Sequence, residues 1–416
     1  MSTVVLGAGV IGTTTAWYLA RDGEAVTVLE RQPEAGLETS FANGGLVTPS
    51  MSDPWAAPGV PLKILKWLGD EHAPLLLRLH AVPGLAGWGL RFLRNCTGAR
   101  WRRNAEVVLR IAAYSRDLLT ELNDVVELTY DRKEAGTMRV FRDDAAMAGA
   151  IEIAEMLAPH GVRHRSLDAN ACVGLEPALA PVSDRIVGGL HFPDDHSGDA
   201  HKFTQQLAAR CADAGARFRY AIRIEALETS ADRVVRVHTD AGPIEADRFV
   251  LALGSFSAPI ARSIGVRLPI YPVKGYSLTL PIAGWNAAPA LPVADDARKL
   301  GVTPLGDRLR VAGTAEFTGF DSAPNRRRGA LLLNALRDLY PDYRPAADVE
   351  VWAGLRPVTP DGPPILGRTA YSNLYLNAGQ GHLGWTMACG SARVVADLVA
   401  GREPEIDLDG MTLDRF

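Results

Sequence analysis

Cysteine is scarce in this chain: four residues in 416, at Cys96, Cys172, Cys211 and Cys389. None stands in a C-x-x-C or at metal-ligand spacing, so no disulfide framework or thiolate metal site is predicted, and the four read as reduced thiols of a cytosolic protein. Long apolar runs are missing too. No stretch approaches the roughly 18 residues that a membrane-spanning helix needs, which leaves a soluble protein or one peripheral to a membrane. Charge of either sign is not in excess: 44 Lys and Arg stand against 48 Asp and Glu, a net −4 that argues against nucleic acid as a partner. The basic clusters Arg100-Trp101-Arg102-Arg103 and Arg326-Arg327-Arg328 are short and read as solvated helix faces. Internal repeats and low-complexity tracts are absent, and the chain opens on a strand, with no room for a signal peptide.

What is present begins at residue 4. Val4-Val5-Leu6 runs into Gly7-Ala8-Gly9-Val10-Ile11-Gly12, and a helix follows from Val10 with Ala16, Leu19 and Ala20 on its apolar face. After Asp22-Gly23 a second strand, Ala25 to Leu29, ends at Glu30. In such a unit the first glycine permits the tight turn. The second lets a pyrophosphate approach the backbone, and the third lets helix and strand pack closely. The helix N-terminus offers unpaired N–H groups to phosphate. Glu30, eighteen residues past Gly12, stands where a carboxylate accepts hydrogen bonds from ribose hydroxyls. The unit predicts dinucleotide binding but does not separate FAD from NAD, since both carry the same ADP half.

A length of 416 residues and an apolar fraction of 47% suit about two domains with sizeable cores. Residues 51–101 are broken by Pro54, Pro58, Pro61, Pro74 and Pro83 and hold Trp55, Trp67, Trp88 and Trp101. Helices are predicted over 104–123, 145–160, 201–214 and 325–339. Strands are predicted over 136–142, 273–280, 308–317 and 349–353, and 216–250 reads as a β-meander closing on a buried strand, Phe249 to Gly254. Near the end, Gly379-Gln380-Gly381-His382-Leu383-Gly384-Trp385-Thr386 forms a second glycine-rich turn.

Five stretches carry a resemblance: Glu38 to Gly45, Pro54 to Gly59, Pro272 to Ser277, Gly354 to Gly367, and Leu383 to Gly390. Together they resemble the D-amino-acid oxidase (DAO) superfamily of FAD oxidoreductases, within it the bacterial D-amino-acid dehydrogenases, over essentially the whole chain. The resemblance implies a mixed α/β (α+β) fold. A Rossmann-like FAD-binding domain would be built from residues 1–50, 175–265 and 350–416. A substrate domain with a mixed, largely antiparallel sheet would take 51–174 and 266–349.

By position, the resemblance places Gly7, Gly9, Val10, Ile11 and Gly12 at the pyrophosphate and Glu30 and Arg31 at the adenosine. Thr39, Ser40, Asn43, Gly44, Gly45 and Leu46 would line pyrophosphate and isoalloxazine, with Ile224 at the adenine and Ala252 and Gly254 over the nucleotide. Gly381, His382, Leu383, Gly384, Trp385 and Thr386 would open the last helix, its N–H groups aimed at the flavin edge where charge develops. Arg356 is the expected substrate anchor, because a guanidinium fork matches a carboxylate bidentately; the competing reading pairs it with a domain-interface carboxylate. Tyr276 and His382 are further candidates at the substrate, and Lys274 and Arg310 are candidate charges near the flavin. Gln380 departs from the family, which usually has His there, and Leu46-Val47-Thr48 is apolar where relatives are often polar.

The implied reaction is hydride transfer from the Cα of a D-amino acid to flavin N5, giving a 2-oxo acid and ammonia. The FAD is expected to be non-covalent, and a quinone or another electron-transfer acceptor takes the electrons. Alternatives are oxidation of another small amine (a proline or hydroxyproline epimer, sarcosine or glycine) and a non-catalytic flavoprotein subunit. The Trp-rich, basic segment 51–101 is a candidate peripheral membrane contact on the inner face of the cell membrane; the competing readings are a lid or a subunit contact.

Overall fold

A computed structural model describes residues 1–67, 69–344 and 349–416. The N-terminal β-α-β unit forms as its pattern predicts: strand Ser2–Leu6, helix Val10–Arg21, strand Ala25–Leu29, the two strands parallel. They enter a six-stranded sheet in the order Ile365–Arg368, Leu374–Ala378, Arg248–Leu251, Ser2–Leu6, Ala25–Leu29, Arg217–Arg219. Every pairing is parallel except that of Ile365–Arg368 with Leu374–Ala378. Helices Val10–Arg21, Ala200–Asp213 and Ala388–Val399 pack on it over a core that includes Val5, Val28, Phe203, Val250 and Val395. Covered on both faces, such a sheet draws on runs like Val4-Val5-Leu6 rather than on alternation.

The second sheet has nine strands among the described residues and is mostly antiparallel. At one end of it Tyr271–Pro281 pairs with Arg308–Phe317 on one side and with the edge strand Val351–Val358 on the other. Helix Arg326–Leu339, capped by the Asn325 side chain on the Arg327 N–H, covers one face through Leu332, Leu336 and Leu339.

Two expectations need correction. Only Ile224–Ser230, Arg233–Thr239 and Ile244–Glu245 form the meander, while its flanks Arg217–Arg219 and Arg248–Leu251 join the first sheet. The strand expected over 349–353 is Val351–Val358, because backbone pairing with Tyr271–Pro281 continues through Arg356 to Val358. Strands Gly188–Phe192 and Val351–Val358, expected in the flavin domain, hydrogen-bond into the second sheet. Helix Gly98–Val125, expected in the substrate domain, packs Val107, Val108 and Ile111 against Met387 and Val394 of the C-terminal region.

A buried carboxylate ties the two regions together. Asp195 accepts from the Ser50 hydroxyl (2.5 Å), the Thr137 hydroxyl (2.6 Å) and the Ser50 N–H (3.4 Å). Burial outweighs these bonds and pushes its carboxyl up to about 7. A carboxyl raised above its unfolded value stabilises the fold when protonated, and that contribution is lost as pH climbs from about 4 through 7. Asp195→Asn, which mimics the protonated form, should therefore flatten the pH dependence of stability and be the more stable protein at pH 8. Urea unfolding of both proteins at pH 5 and pH 8 checks this; equal slopes would refute the assignment.

Candidate active site

A cavity of about 970 Å³ runs from the glycine-rich turn to Arg356. One wall is the turn itself. Gly7 takes φ +104°, and a Cβ there would lie 2.7 Å from the Ala252 carbonyl oxygen. At Gly12 a Cβ would fall 1.9 Å from the Gly7 carbonyl, so only glycine lets the helix start this close to the strand. Gly9 lines the cavity, the Val10 N–H is held by the Ser40 hydroxyl at 3.0 Å, and Ile11 follows on the same wall.

Glu30 closes the end of the second strand. Its carboxylate accepts from the Ala8 N–H (2.8 Å) and the Gln32 N–H (2.9 Å), and burial raises it above the usual carboxyl range. Each oxygen keeps a further lone pair for a ribose hydroxyl. Arg31 lies over the Phe256 ring at 4.0 Å and pairs with Glu38 at 2.6 Å. Ile224, Ala252 and Gly254 line the same end, and Gly254 (φ +54°) has nothing within 4 Å of where a Cβ would stand.

The Thr39–Leu46 loop makes the next wall. The Thr39 hydroxyl donates to the Leu355 carbonyl (2.9 Å), and Asn43 closes a turn by accepting from the Gly45 N–H (2.8 Å). Arg310, expected near the flavin, stands behind this loop instead. It donates to the Asn43 carbonyl (2.6 Å), and burial brings its guanidinium down to about 10. Thr39, Ser40, Asn43, Gly44 and Leu46 line the cavity; Gly45 packs against Gly198 and Thr303 behind it.

The C-terminal turn differs from expectation. Gly381–Leu383 is a short 3-10 turn, and the regular helix starts only at Ala388. Positive φ at Gly379 and Gly381 sets the chain into the turn. Gly381, His382, Leu383, Gly384 and Trp385 line the cavity; Thr386 stands back and accepts from the Thr48 N–H (3.1 Å). Gln380 spends its amide on Asn377 (2.7 Å), which in turn donates to Thr15 (3.0 Å).

Arg356 is the cation of the site. Its Nη1 donates to the Thr314 carbonyl (2.9 Å), and among the described residues no carboxylate pairs with it. Burial brings its guanidinium down to about 10. The competing reading, an interface ion pair, therefore finds no partner. His382, open to the cavity, stacks on Trp55 at 5.4 Å, and desolvation by the surrounding walls together with the neighbouring Arg356 lowers its imidazole to about 4. Tyr276 lines the cavity, but its hydroxyl donates to Glu316 and is not offered to a substrate. Glu316 also pairs with Arg78 (2.6 Å). Lys274 is taken by Asp321 (2.7 Å) and lies outside the cavity lining.

Sequence reasoning missed Asp53. It lines the cavity with no ion-pair partner among the described residues. Burial raises its carboxyl, with Arg139 and Lys299 opposing. Nothing in a lone Asp before Pro54-Trp55 announces this; only the folded cavity does.

The donor set fits a flavin dinucleotide: glycines bare of side chain along one wall, a helix N-terminus for phosphate, an acid at the ribose position, and a second glycine turn facing the far end. The match to known proteins agrees. The chain belongs to the DAO family of FAD-dependent oxidoreductases, whose model matches residues 2–398. It is 50% identical to a D-amino acid dehydrogenase of Paramagnetospirillum magneticum, over 100% of this chain and 99% of that protein. A D-amino acid dehydrogenase of Agrobacterium fabrum is 46% identical over the full length of both. Glycine oxidase from Geobacillus kaustophilus shares the fold, with a TM-score of 0.78 at 22% identity over 100% of this chain and 98% of that one.

Gly12→Ala forces its methyl into the Gly7 carbonyl and should yield protein that has lost most of its FAD. The ratio of flavin to protein absorbance after purification measures this; wild-type loading would contradict the placement.

Proposed function

We propose that this chain oxidises D-amino acids to 2-oxo acids and ammonia, passing the electrons to a quinone or similar acceptor. The observation that carries the reading is Arg356, a half-buried guanidinium that faces the same cavity as the dinucleotide turn and has no carboxylate partner among the described residues. An α-carboxylate supplies the missing charge and takes a bidentate bond from the remaining N–H groups. The roughly 50% identical relatives named D-amino acid dehydrogenase support the choice of substrate class.

FAD, when bound, supplies the two-electron acceptor for the Cα hydride. Gly7, Gly9 and the first turn of helix Val10–Arg21 hold its pyrophosphate, Glu30 its ribose, and the Thr39–Leu46 loop and Gly381–Trp385 its ring system. Arg356 would hold the carboxylate and so restrict which face of Cα is presented to the bound cofactor. Loss of hydride from Cα of the neutral amine leaves an imino acid, and water converts it to the 2-oxo acid and ammonia. The neutral His382 borders this space without adding charge beside Arg356. The flavin is held non-covalently: Cys389 is buried within helix Ala388–Val399, and burial pushes its thiol up to about 12.

Anaerobic bleaching of the purified yellow protein by D- and L-amino acids, glycine, sarcosine and both hydroxyproline epimers tests the reading. Several D-amino acids should bleach it rapidly and their L-enantiomers should not. Bleaching by a secondary amine alone would move the assignment to another small amine. No bleaching of a loaded protein would point to a flavoprotein subunit lacking its partner.

The acceptor side rests on residues 51–101. Helices Val60–Trp67 and Val82–Asn95 wall the cavity through Val60, Ile64, Trp88 and Phe92. Their outer faces expose Leu62, Leu65 and Leu90 beside Lys66 and Arg94. No helix among the described residues is long and apolar enough to cross a membrane. An apolar face rimmed by basic residues suits the surface of an anionic bilayer, where a quinone is met. Leu62→Ser with Leu65→Ser should reduce co-sedimentation with vesicles containing anionic lipid several-fold, while D-amino-acid reduction of a soluble dye is unchanged. Unaltered sedimentation would leave this segment as a lid only.

A further inference from the structure

The sheet around Arg356 contains a local irregularity that the reaction scheme leaves unexplained. In the pairing of Tyr271–Pro281 with Arg308–Phe317, Lys274 faces Glu316 but Tyr276 faces Gly313. Gly275 alone therefore stands against Thr314 and Ala315, a β-bulge. Thr314 takes φ +54°, a conformation rare for a β-branched residue, and its hydroxyl is buried without a partner. The bulge turns the Thr314 carbonyl out of the ladder, and it accepts from Arg356 Nη1 (2.9 Å), while the Ala315 N–H stays in the pairing with Leu75–Leu77 through the Pro74 carbonyl (2.7 Å).

On the neighbouring strand Val273 faces Arg356, so Gly275 is the diagonal neighbour of Arg356. A Cβ on Gly275 would lie 2.2 Å from Arg356 Cζ and 2.3 and 2.4 Å from its two Nη atoms. The guanidinium thus lies flat across the bare backbone of Gly275, while the Thr314 carbonyl fixes one of its N–H groups.

We propose that Gly275 and the Thr314 bulge are positioning residues that seat the Arg356 guanidinium in the plane needed for bidentate binding of a substrate α-carboxylate. Both line the cavity, and the role assigned to them is exerted through Arg356. The strain at Thr314 is maintained because it turns a carbonyl, rather than a carboxylate, toward the cation. A carboxylate there would satisfy Arg356 and compete with the substrate. A carbonyl orients the fork and leaves its charge uncompensated. The glycine of the Pro272–Ser277 stretch is thereby explained by a close approach and not by its own backbone conformation.

The inference rests on the anchoring role given to Arg356 under the proposed function, and the experiment separates the two. Wild-type and Gly275→Ala proteins, matched for FAD content, are compared with D-alanine and with D-alaninamide, which lacks the carboxylate. Wild type should strongly prefer D-alanine. Gly275→Ala should raise KM for D-alanine at least ~10-fold with kcat changed less than ~3-fold, and leave the amide unaffected. Pyruvate binding, read from the flavin absorbance without turnover, should weaken in parallel with KM.

The same substitution is also made on Arg356→Lys, whose ammonium lacks the planar group that the methyl would strike. There the added alanine should change neither soluble yield nor KM relative to Arg356→Lys alone. Equal losses in both backgrounds, or an unchanged KM and pyruvate affinity in Gly275→Ala, would overturn the inference. A wild type indifferent to the carboxylate would instead sink the anchoring role of Arg356 itself.

Discussion

A guanidinium that faces a cavity with no anion beside it is unfavourable, and the fold around Arg356 keeps one there, half-buried. The rest of the molecule supplies what offsets this. Backbone pairing on the Tyr271–Pro281 strand fixes Arg356 in register, and the Thr314 carbonyl gives it one polar contact. The pairing continues to Val358, which bridges to Gln380 and so joins the second sheet to the C-terminal glycine turn. Arg356, the proposed anchor, and the C-terminal glycine turn are thus two ends of one short stretch of backbone hydrogen bonding.

The polar groups around the cavity divide sharply into spent and unspent. Tyr276, Glu316 and Arg78 satisfy one another, and Arg328, fully buried, donates to the carbonyls of Glu71 (2.9 Å) and Ala73 (2.8 Å). These bonds pin the roof strand Leu75–Leu77 to the second sheet, where it pairs with Ala315 to Phe317. Lys274 and Arg310 are likewise committed to Asp321 and to the Asn43 carbonyl. Arg356 and Asp53, both half-buried in the cavity wall, have no ion-pair partner among the described residues.

The roof also links chemistry to surroundings. Its helices turn one face to the cavity and another, leucine-rich and basic, outward. The same short amphipathic elements that shield the cavity from water therefore form the most apolar part of the exterior. Proline breaks keep them short, which fits lying on a surface rather than spanning one.

The local dictates were legible in the sequence. The β-α-β unit with its glycines and Glu30 follows from steric rules that act within thirty residues, and it stands in the structure as read. The long helices, the apolar central strands and the family resemblance were equally accessible, because periodicity and motif are properties of contiguous residues. Tertiary structure alone decided the rest. It carried the strand through Arg356, since pairing with Tyr271–Pro281 outweighs the local turn signal of Gly354 and Pro357. It committed the Tyr276 hydroxyl to Glu316, forty residues away, and left Asp53 unpaired. It also gave Gly275 its meaning, because the atoms that forbid a side chain there belong to a residue eighty-one positions on. Backbone geometry is set by neighbours in the chain; whether a charge is free is set by neighbours in space.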